Sequence, residues 1–354
     1  MTVYQKYNEL DDFTSYAYHT IWLRHNCRCE KGCLHPTTKE IIVCSSSFTE
    51  KEIAPLRTYI GNNKLCVIWK DFQFSQYSFD WLLAHKQTAI PNIINIKPNV
   101  SEIIWLKPQS DSEKVQQMIQ IMKNVEDNGY CYVKEFGLDN EEFIKLMDKS
   151  GHPLFSSHFG LYENLEPATH NTFNKHTDQL GYTNDRIDLH MDQTFIEDCP
   201  PFQALHCIKR AESGGSNMFV DIRKISNMLI EYFPNEAYLL THQPILFHRK
   251  QKEYEKKLET PIIKPDEKGK FKQVRSSYFT LAPFDLPFDK MIPYYNAYNR
   301  FHKLIRNPES QVQIQLDPGD VIIYDNHRMM HGRTAFTGYR LIKGTYHMKK
   351  NLTQ

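Results

Sequence analysis

His190 and Asp192 stand two apart in DLHMDQTF (188–195), and both side chains are good ligands for a divalent metal. On a strand, alternation puts them on one face. Alone, H-x-D reads equally well as a polar strand face. The segment LDPGDVIIYDNHRMMHGRTAFTGYR (316–340) adds to it. DPGD is a tight turn, VIIYDN an apolar strand, and HRMMHGR brings His327 and His331. Two histidines and one carboxylate with open coordination positions form the facial triad of non-haem Fe(II) oxygenases. His190, Asp192 and His331 supply it, with 139 positions from Asp192 to His331 and His327 as a competing ligand. Arg340 follows His331 by nine residues, on what the pattern predicts as the next strand. Its fork of donors suits the distal carboxylate of 2-oxoglutarate better than a lysine would. Taken singly, it reads also as a surface partner for one of the 42 acidic residues.

A second cluster lies near the N-terminus. Of eight cysteines, Cys27, Cys29 and Cys33 crowd into seven residues. In a reducing compartment such crowding suggests metal binding rather than bridges.

The elements that position these groups are legible in outline. Short strand-like runs, EIIVCSS (40–46) and KLCVIWKDF (64–72), mark a small β-rich N-terminal domain over residues 1–95, and SFDWLLAHK (78–86) a short helix. SDSEKVQQMIQIMKNVEDNG (110–129) is a capped helix ending in glycine, YCYVKEF (130–136) a strand, and NEEFIKLMDKSG (140–151) a second capped helix. Further on, FQALHCIKR (202–210), SNMFVDI (216–222), PILFHRK (244–250), KQVRSSYFTL (272–281), QVQIQLDPGDVIIYDN (311–326) and YRLIKGTYHM (339–348) are strand candidates. VDIRKISNMLIEYF (220–233) and KMIPYYNAYNRFHKLIRN (290–307) are helices between them. The prediction is an α+β chain, mainly β, with a sandwich or barrel flanked by helices over residues 110–354.

Composition narrows the function classes. With 43 basic and 42 acidic residues there is no basic field to hold nucleic acid. No run of 18 apolar residues predicts a membrane helix. The opening MTVYQKYNELDDFTSYAYHT resembles neither a signal nor a transit peptide, so the expected location is cytoplasmic.

The chain resembles the γ-butyrobetaine and trimethyllysine dioxygenases, TauD-type enzymes that depend on Fe(II) and 2-oxoglutarate. The likeness runs through WLRHNCRC (22–29), the H-x-D segment, LHCIKRAESGG (205–215), DPGDVIIYDNHRMMHGR (317–333) and RLIKGTY (340–346). It implies a double-stranded β-helix, or jelly roll, behind the N-terminal domain. It implies His190, Asp192 and His331 as iron ligands, Arg340 as the 2-oxoglutarate anchor and Leu205 in that cosubstrate's pocket. Cys27, Cys29 and Cys33 match a structural zinc site, but Gln73 stands where the family has histidine, leaving His35, Cys44 or His85 to complete it. A homodimer is the plausible assembly.

The resemblance also implies an aromatic cage for a trimethylammonium group. Tyr182 and Tyr346 match cage tyrosines, but Phe159, Glu163 and Gln193 fall where the family has tyrosine, tryptophan and tyrosine. A carboxylate and an amide favour an amine with N–H groups to donate. The expected reaction is hydroxylation of an unactivated C–H on a small amino-acid-like or amine substrate. The alternatives are an oxidative cyclase of kainoid type and a non-catalytic binding protein on the same fold.

Overall fold

The computed structural model describes residues 18–29, 32–85, 101–108, 110–157, 160–167, 179–251 and 254–350. Near the N-terminus, β1 (Pro55–Gly61), β2 (Lys64–Trp69) and β3 (Phe74–Ser78) form an antiparallel meander. Asn62 and Asn63 turn the first hairpin, at φ 51° and 56°. Asparagine tolerates that left-handed region better than most residues. Ser78 caps α2 (Phe79–Leu83) by accepting from the Trp81 amide. From α1 (Thr20–His25), Trp22 and Leu23 enter the same core as Tyr298 and Phe301 of the late helix α7 (Phe288–Arg306). The His25 and Asn26 side chains meet the Tyr295 hydroxyl of α7 at 3.0 and 3.1 Å. This first unit therefore shares a core with the rest of the chain.

The larger sheet runs β4 (Glu102–Ile104), β5 (Tyr130–Lys134), β16 (Val321–Asp325), β8 (Phe202–Lys209), β19 (Leu341–His347) and β6 (Tyr162–Leu165). The smaller runs β15 (Val312–Ile314), β10 (Asn217–Asp221), β17 (Met329–Arg333) and β7 (Ile187–His190). Strand alternation sorts their side chains between layers. In β16, Val321 and Ile323 pack outward on α3 (Asp111–Asn128) and α4 (Asn140–Lys149). Ile322 and Tyr324 turn inward to meet Phe219 of β10 and Met329 of β17. The two sheets thus face each other across one apolar layer, as in a double-stranded β-helix. Behind the smaller sheet, Met218, Val220 and Met330 pack on α5 (Ile222–Tyr232), α6 (Pro234–His242) and α7.

Ser110 caps helix α3 and with Glu113 forms a reciprocal capping box, and the helix closes at Gly129, φ 90°. Short ladders complete the fold: β9 (Ser213–Gly214) with β18 (Phe336–Thr337), β11 (Ile245–Lys250) with β12 (Glu255–Thr260), and β13 (Ile263–Pro265) with β14 (Phe271–Val274).

Two expected strands are corrected. Residues 40–46 form a loop running into a 3-10 turn at Ser45–Ser47, because local bonds such as His35 N–H to Glu40 O (2.8 Å) close the chain on itself. In 272–281 the strand stops at Val274. Arg275 instead reaches the carbonyls of Thr194 (3.1 Å) and Glu197 (2.6 Å), and the Ser276 carbonyl accepts from Met191 N–H (2.7 Å). No helix of the described residues is long and apolar enough to cross a membrane.

Candidate active site

His331 and His190 are direct partners across the β17–β7 ladder, so strand pairing spans the sequence gap between them. Met329 and His331 share the inward face of β17 by alternation. Asp192 lies two residues past the end of β7, in a turn, so the expected common strand face is corrected. The turn still brings the carboxylate to the histidines. His190 Nε2 is 3.2 Å from Asp192 Oδ1, and His331 Nε2 is 3.9 Å from Asp192 Oδ2. One ligand atom from each of the three lies within 4.8 Å of the others.

Hydrogen bonding presets these groups for a cation. His190 Nδ1 lies 2.8 Å from the Asp188 carbonyl, which fixes the proton there and turns the Nε2 lone pair toward the cluster. Asp192 Oδ2 accepts from the Tyr346 hydroxyl at 2.6 Å. Its backbone N–H donates to Asn326 Oδ1 (3.2 Å), and its carbonyl accepts from Asn326 Nδ2 (3.3 Å). Burial would raise the Asp192 pKa, but His331, His190 and Tyr346 outweigh it and hold the carboxyl below the ordinary range. Burial pushes His331 down to about 3, so its imidazole is neutral near pH 7. Two imidazoles and a carboxylate in this spacing fit a divalent iron. The competing His327 is turned away, its Nε2 3.1 Å from the Cys199 carbonyl.

Arg340 sits just before β19 rather than on it, 4% exposed, in the wall of the cavity that holds the cluster. Burial lowers its pKa to about 10, so it stays cationic. Among the described residues no carboxylate pairs with it, whereas the nearby Arg333 is bound to the carbonyls of Thr183 (2.6 Å) and Asp185 (2.7 Å). A buried arginine facing a cavity without an anion fits an incoming carboxylate. Leu205 lines the same cavity.

The expected cage residues divide. Tyr346, Glu163 and Gln193 line the cavity. Tyr182 is not in the lining; it stands behind Glu163 and donates to Glu163 Oε1 at 2.8 Å. Phe159 lies outside the described residues. Burial raises the Glu163 carboxyl to about 7, against the opposing Tyr182 bond. Gln193, at φ 60°, has neither amide atom bonded. Sequence reasoning missed Glu40, Arg249, Ser277 and Phe279, which also line the cavity. Phe279 sets its ring edge-on to His190 at 5.0 Å. No spacing signal marks these residues, because they come from three separate segments: Glu40 from the loop before β1, Arg249 from β11, and Ser277 and Phe279 from the loop after β14.

Cys27, Cys29 and Cys33 converge, their sulfurs all within 4.8 Å. Hydrogen bonding, first from Cys33, lowers the Cys27 thiol to about 5, and Arg24 Nη1 donates to Cys33 Sγ at 3.2 Å. Among the described residues no fourth metal-binding group joins them. His35 is bound to Asp185 (2.5 Å), Cys44 meets Ser46 (3.4 Å), and His85 meets the Trp81 carbonyl (2.6 Å).

The profile of the taurine catabolism dioxygenase TauD, TfdA family matches residues 101–346, and that of the γ-butyrobetaine hydroxylase-like N-terminal region matches residues 9–83. The trimethyllysine dioxygenase of Meyerozyma guilliermondii is 28% identical, covering 96% of this chain and 89% of its own. The γ-butyrobetaine dioxygenase of a Pseudomonas species (strain AK-1) is 27% identical, covering 93% and 87%. Among solved structures, an asparagine oxygenase in complex with Fe(II), 3-hydroxyasparagine and succinate superimposes with TM-score 0.51 at 13% identity, over 71% of this chain and 94% of that one. The non-haem iron oxygenase OrfP, in complex with iron, succinate and a hydroxylated arginine, superimposes with TM-score 0.51 at 17% identity, over 68% and 82%. These two likenesses bear on the fold.

Proposed function

Because the chain belongs to the taurine catabolism dioxygenase TauD, TfdA family, we propose that it hydroxylates a small amine or amino-acid substrate bearing N–H groups. The protein is an Fe(II)- and 2-oxoglutarate-dependent dioxygenase. In this reading His190, Asp192 and His331 hold the iron, and Arg340 and Leu205 hold the cosubstrate. The observation that carries it is the convergence of three ligand groups in one cavity with a buried arginine that no carboxylate of the described residues satisfies.

When bound, the iron supplies the redox chemistry that couples decarboxylation of 2-oxoglutarate by O2 to attack on a C–H bond. The chain's own residues set the geometry. Asn326 and Tyr346 fix the Asp192 carboxylate from both ends. The Asp188 carbonyl holds the His190 ring in one tautomer. Arg340 orients the cosubstrate through its distal carboxylate, leaving the cavity end nearest Glu163 and Gln193 for the substrate. A quaternary ammonium has no proton to give these two acceptors, whereas a primary or secondary ammonium does. The relatives named above are trimethyllysine and γ-butyrobetaine dioxygenases. They lend nothing to a ring-closing cyclase, and the enzymatic class displaces a binding-only role.

The test is a screen of amines and amino acids, methylated and unmethylated, for stimulated succinate release, with product masses. Gain of one oxygen atom on an N–H-bearing substrate is the expected result. Stimulation confined to quaternary ammonium compounds would overturn the N–H reading, and loss of two hydrogens would overturn hydroxylation. Succinate release unaffected by His331→Ala would overturn the ligand assignment.

The thiol cluster is part of the proposal as a structural metal site, with zinc the ion that suits three cysteine thiolates. Metal content of the purified protein tests it. One non-iron metal per chain, lost in Cys29→Ser, supports the site, and equal metal content in both proteins overturns it.

A further inference from the structure

The turn that carries Asp192 goes on to hold a residue whose backbone and side chain are both unusual. Gln193 stands at φ 60°, in the left-handed region that glutamine seldom adopts. Of the non-glycine residues at positive φ among the described residues, it alone lines the cavity of the candidate active site. Both sides of it are clamped. Before it, the Met191 N–H donates to the Ser276 carbonyl at 2.7 Å, and the Asp192 backbone is bonded to the Asn326 side chain. After it, the Thr194 and Thr280 hydroxyls meet at 2.8 Å. The Arg275 guanidinium, 1% exposed, donates to the carbonyls of Thr194, Ile196 and Glu197. Strained backbone that its surroundings hold in this way clusters at functional sites.

The side chain makes no bond within the fold that would account for the strain. Gln193 is 5% exposed, and neither its amide oxygen nor its amide nitrogen has a partner among the described residues. Buried amides are rarely left so, because each unmade bond costs the desolvation of that atom. A ligand in the cavity can satisfy both atoms. The amide offers an acceptor and a donor side by side in one plane. An ammonium or a guanidinium satisfies only the oxygen, and a carboxylate only the nitrogen. A primary carboxamide or a terminal urea carries the complementary pair, N–H and C=O on one edge, and closes a two-point ring. Exchanging oxygen and nitrogen of the Gln193 amide leaves this match unaltered.

We propose that Gln193 determines specificity by pairing with a primary carboxamide or terminal urea group on the substrate. This rests on the amine-hydroxylation reading and narrows it to amines, amino acids among them, that carry such a group besides the ammonium. Arg275 is a positioning residue in this scheme, since it acts only through the backbone of the turn that presents Gln193.

The experiment compares amines that end in a primary carboxamide with the same skeletons ending in a methyl ester, an N,N-dimethylamide or a carboxylate. Binding is read anaerobically, by ligand-induced shift of the melting temperature of the protein loaded with Mn(II) and 2-oxoglutarate. At least one primary carboxamide is expected to bind tenfold or more tightly than each of its three counterparts. Gln193→Glu, which removes the donor, and Gln193→Ala, which removes the whole amide, bring the carboxamide-to-ester ratio to within twofold of one. Gln193→Gly does the same on a residue that suits the left-handed backbone, and stands in should the alanine variant fold poorly. The affinity for 2-oxoglutarate stays within twofold in each variant, which separates loss of the amide contact from damage to the turn. Ester and carboxamide binding alike to the native protein, no carboxamide-bearing amine binding at all, or a ratio unchanged in the alanine and glycine variants would each overturn the proposal. Amine-stimulated succinate release is read separately, so a failed amide subsite and a failed hydroxylase reading give different results.

Discussion

Gly332, the residue after His331, lies so close to β7 that a β-carbon placed on it would come 2.7 Å from the Ile187 carbonyl oxygen and 3.0 Å from Met218 Cε. That tight approach is what lets His331 sit opposite His190. In Gly332→Ala the strands must separate, and overpacking of this kind costs about 1–3 kcal/mol. The expected outcome is a lower urea midpoint together with weakened Fe(II) binding. Retained stability and iron affinity would show that the ladder tolerates the methyl group and that close strand approach does not set the ligand spacing.

Tyr346→Phe removes the 2.6 Å bond to Asp192 Oδ2 and little else. Loss of such a supporting hydrogen bond to a metal ligand lowers metal affinity or activity by roughly 10–100-fold. Iron titration should show the weakening, with the fold unchanged by circular dichroism. If iron affinity stays native, the hydroxyl serves the substrate instead of the ligand.

The proposed iron ligands could be singled out in the sequence because iron chemistry calls for their residue types, and the proposed anchor Arg340 because carboxylate recognition favours an arginine fork. The long helix α3 was readable for a similar reason, since Ser110, Glu113 and Gly129 satisfy the orphan groups at its two ends. Arg249 was not readable: a lone arginine in PILFHRK resembles any strand-end surface charge, and its buried partner Glu40 lies 209 positions away. Tyr182 misled for the opposite reason, as its position matched a cage while its hydroxyl was committed to Glu163. Helix α6 went unpredicted although Pro234 is a good first helical residue, because it begins two residues after α5 ends.

Arg340→Lys keeps the charge and loses the fork. Hydrogen bonds to charged groups contribute about 1.5–3 kcal/mol each, and a bidentate pair uses two of them. The 2-oxoglutarate KM should therefore rise at least tenfold, with the KM for the amine substrate much less affected. An unchanged cosubstrate KM would move the anchor to another group, such as Arg333 in the same cavity wall.

Glu163 gives the pH dependence. Its carboxyl is raised to about 7 by burial, with Asp192 adding to the effect and the Tyr182 bond and Arg249 opposing it. An acid whose folded pKa exceeds its unfolded value stabilises the fold below the unfolded pKa. That contribution is lost as pH rises through the folded pKa. Native stability should thus fall between about pH 4.5 and 7, by an amount on the order of 3 kcal/mol at most for this shift. Substrate binding runs the other way, since an ammonium needs the ionised carboxylate, so the amine KM should drop as pH rises from 6 to 8. Glu163→Gln keeps an oxygen to accept from Tyr182 and removes the titration. Its stability should exceed the native protein's at pH 8 and match it near pH 4, and its amine KM should be higher and flat with pH. Urea unfolding at both pH values, with KM profiles across the range, checks the two halves. A native KM that does not vary between pH 6 and 8 would remove Glu163 from the amine site.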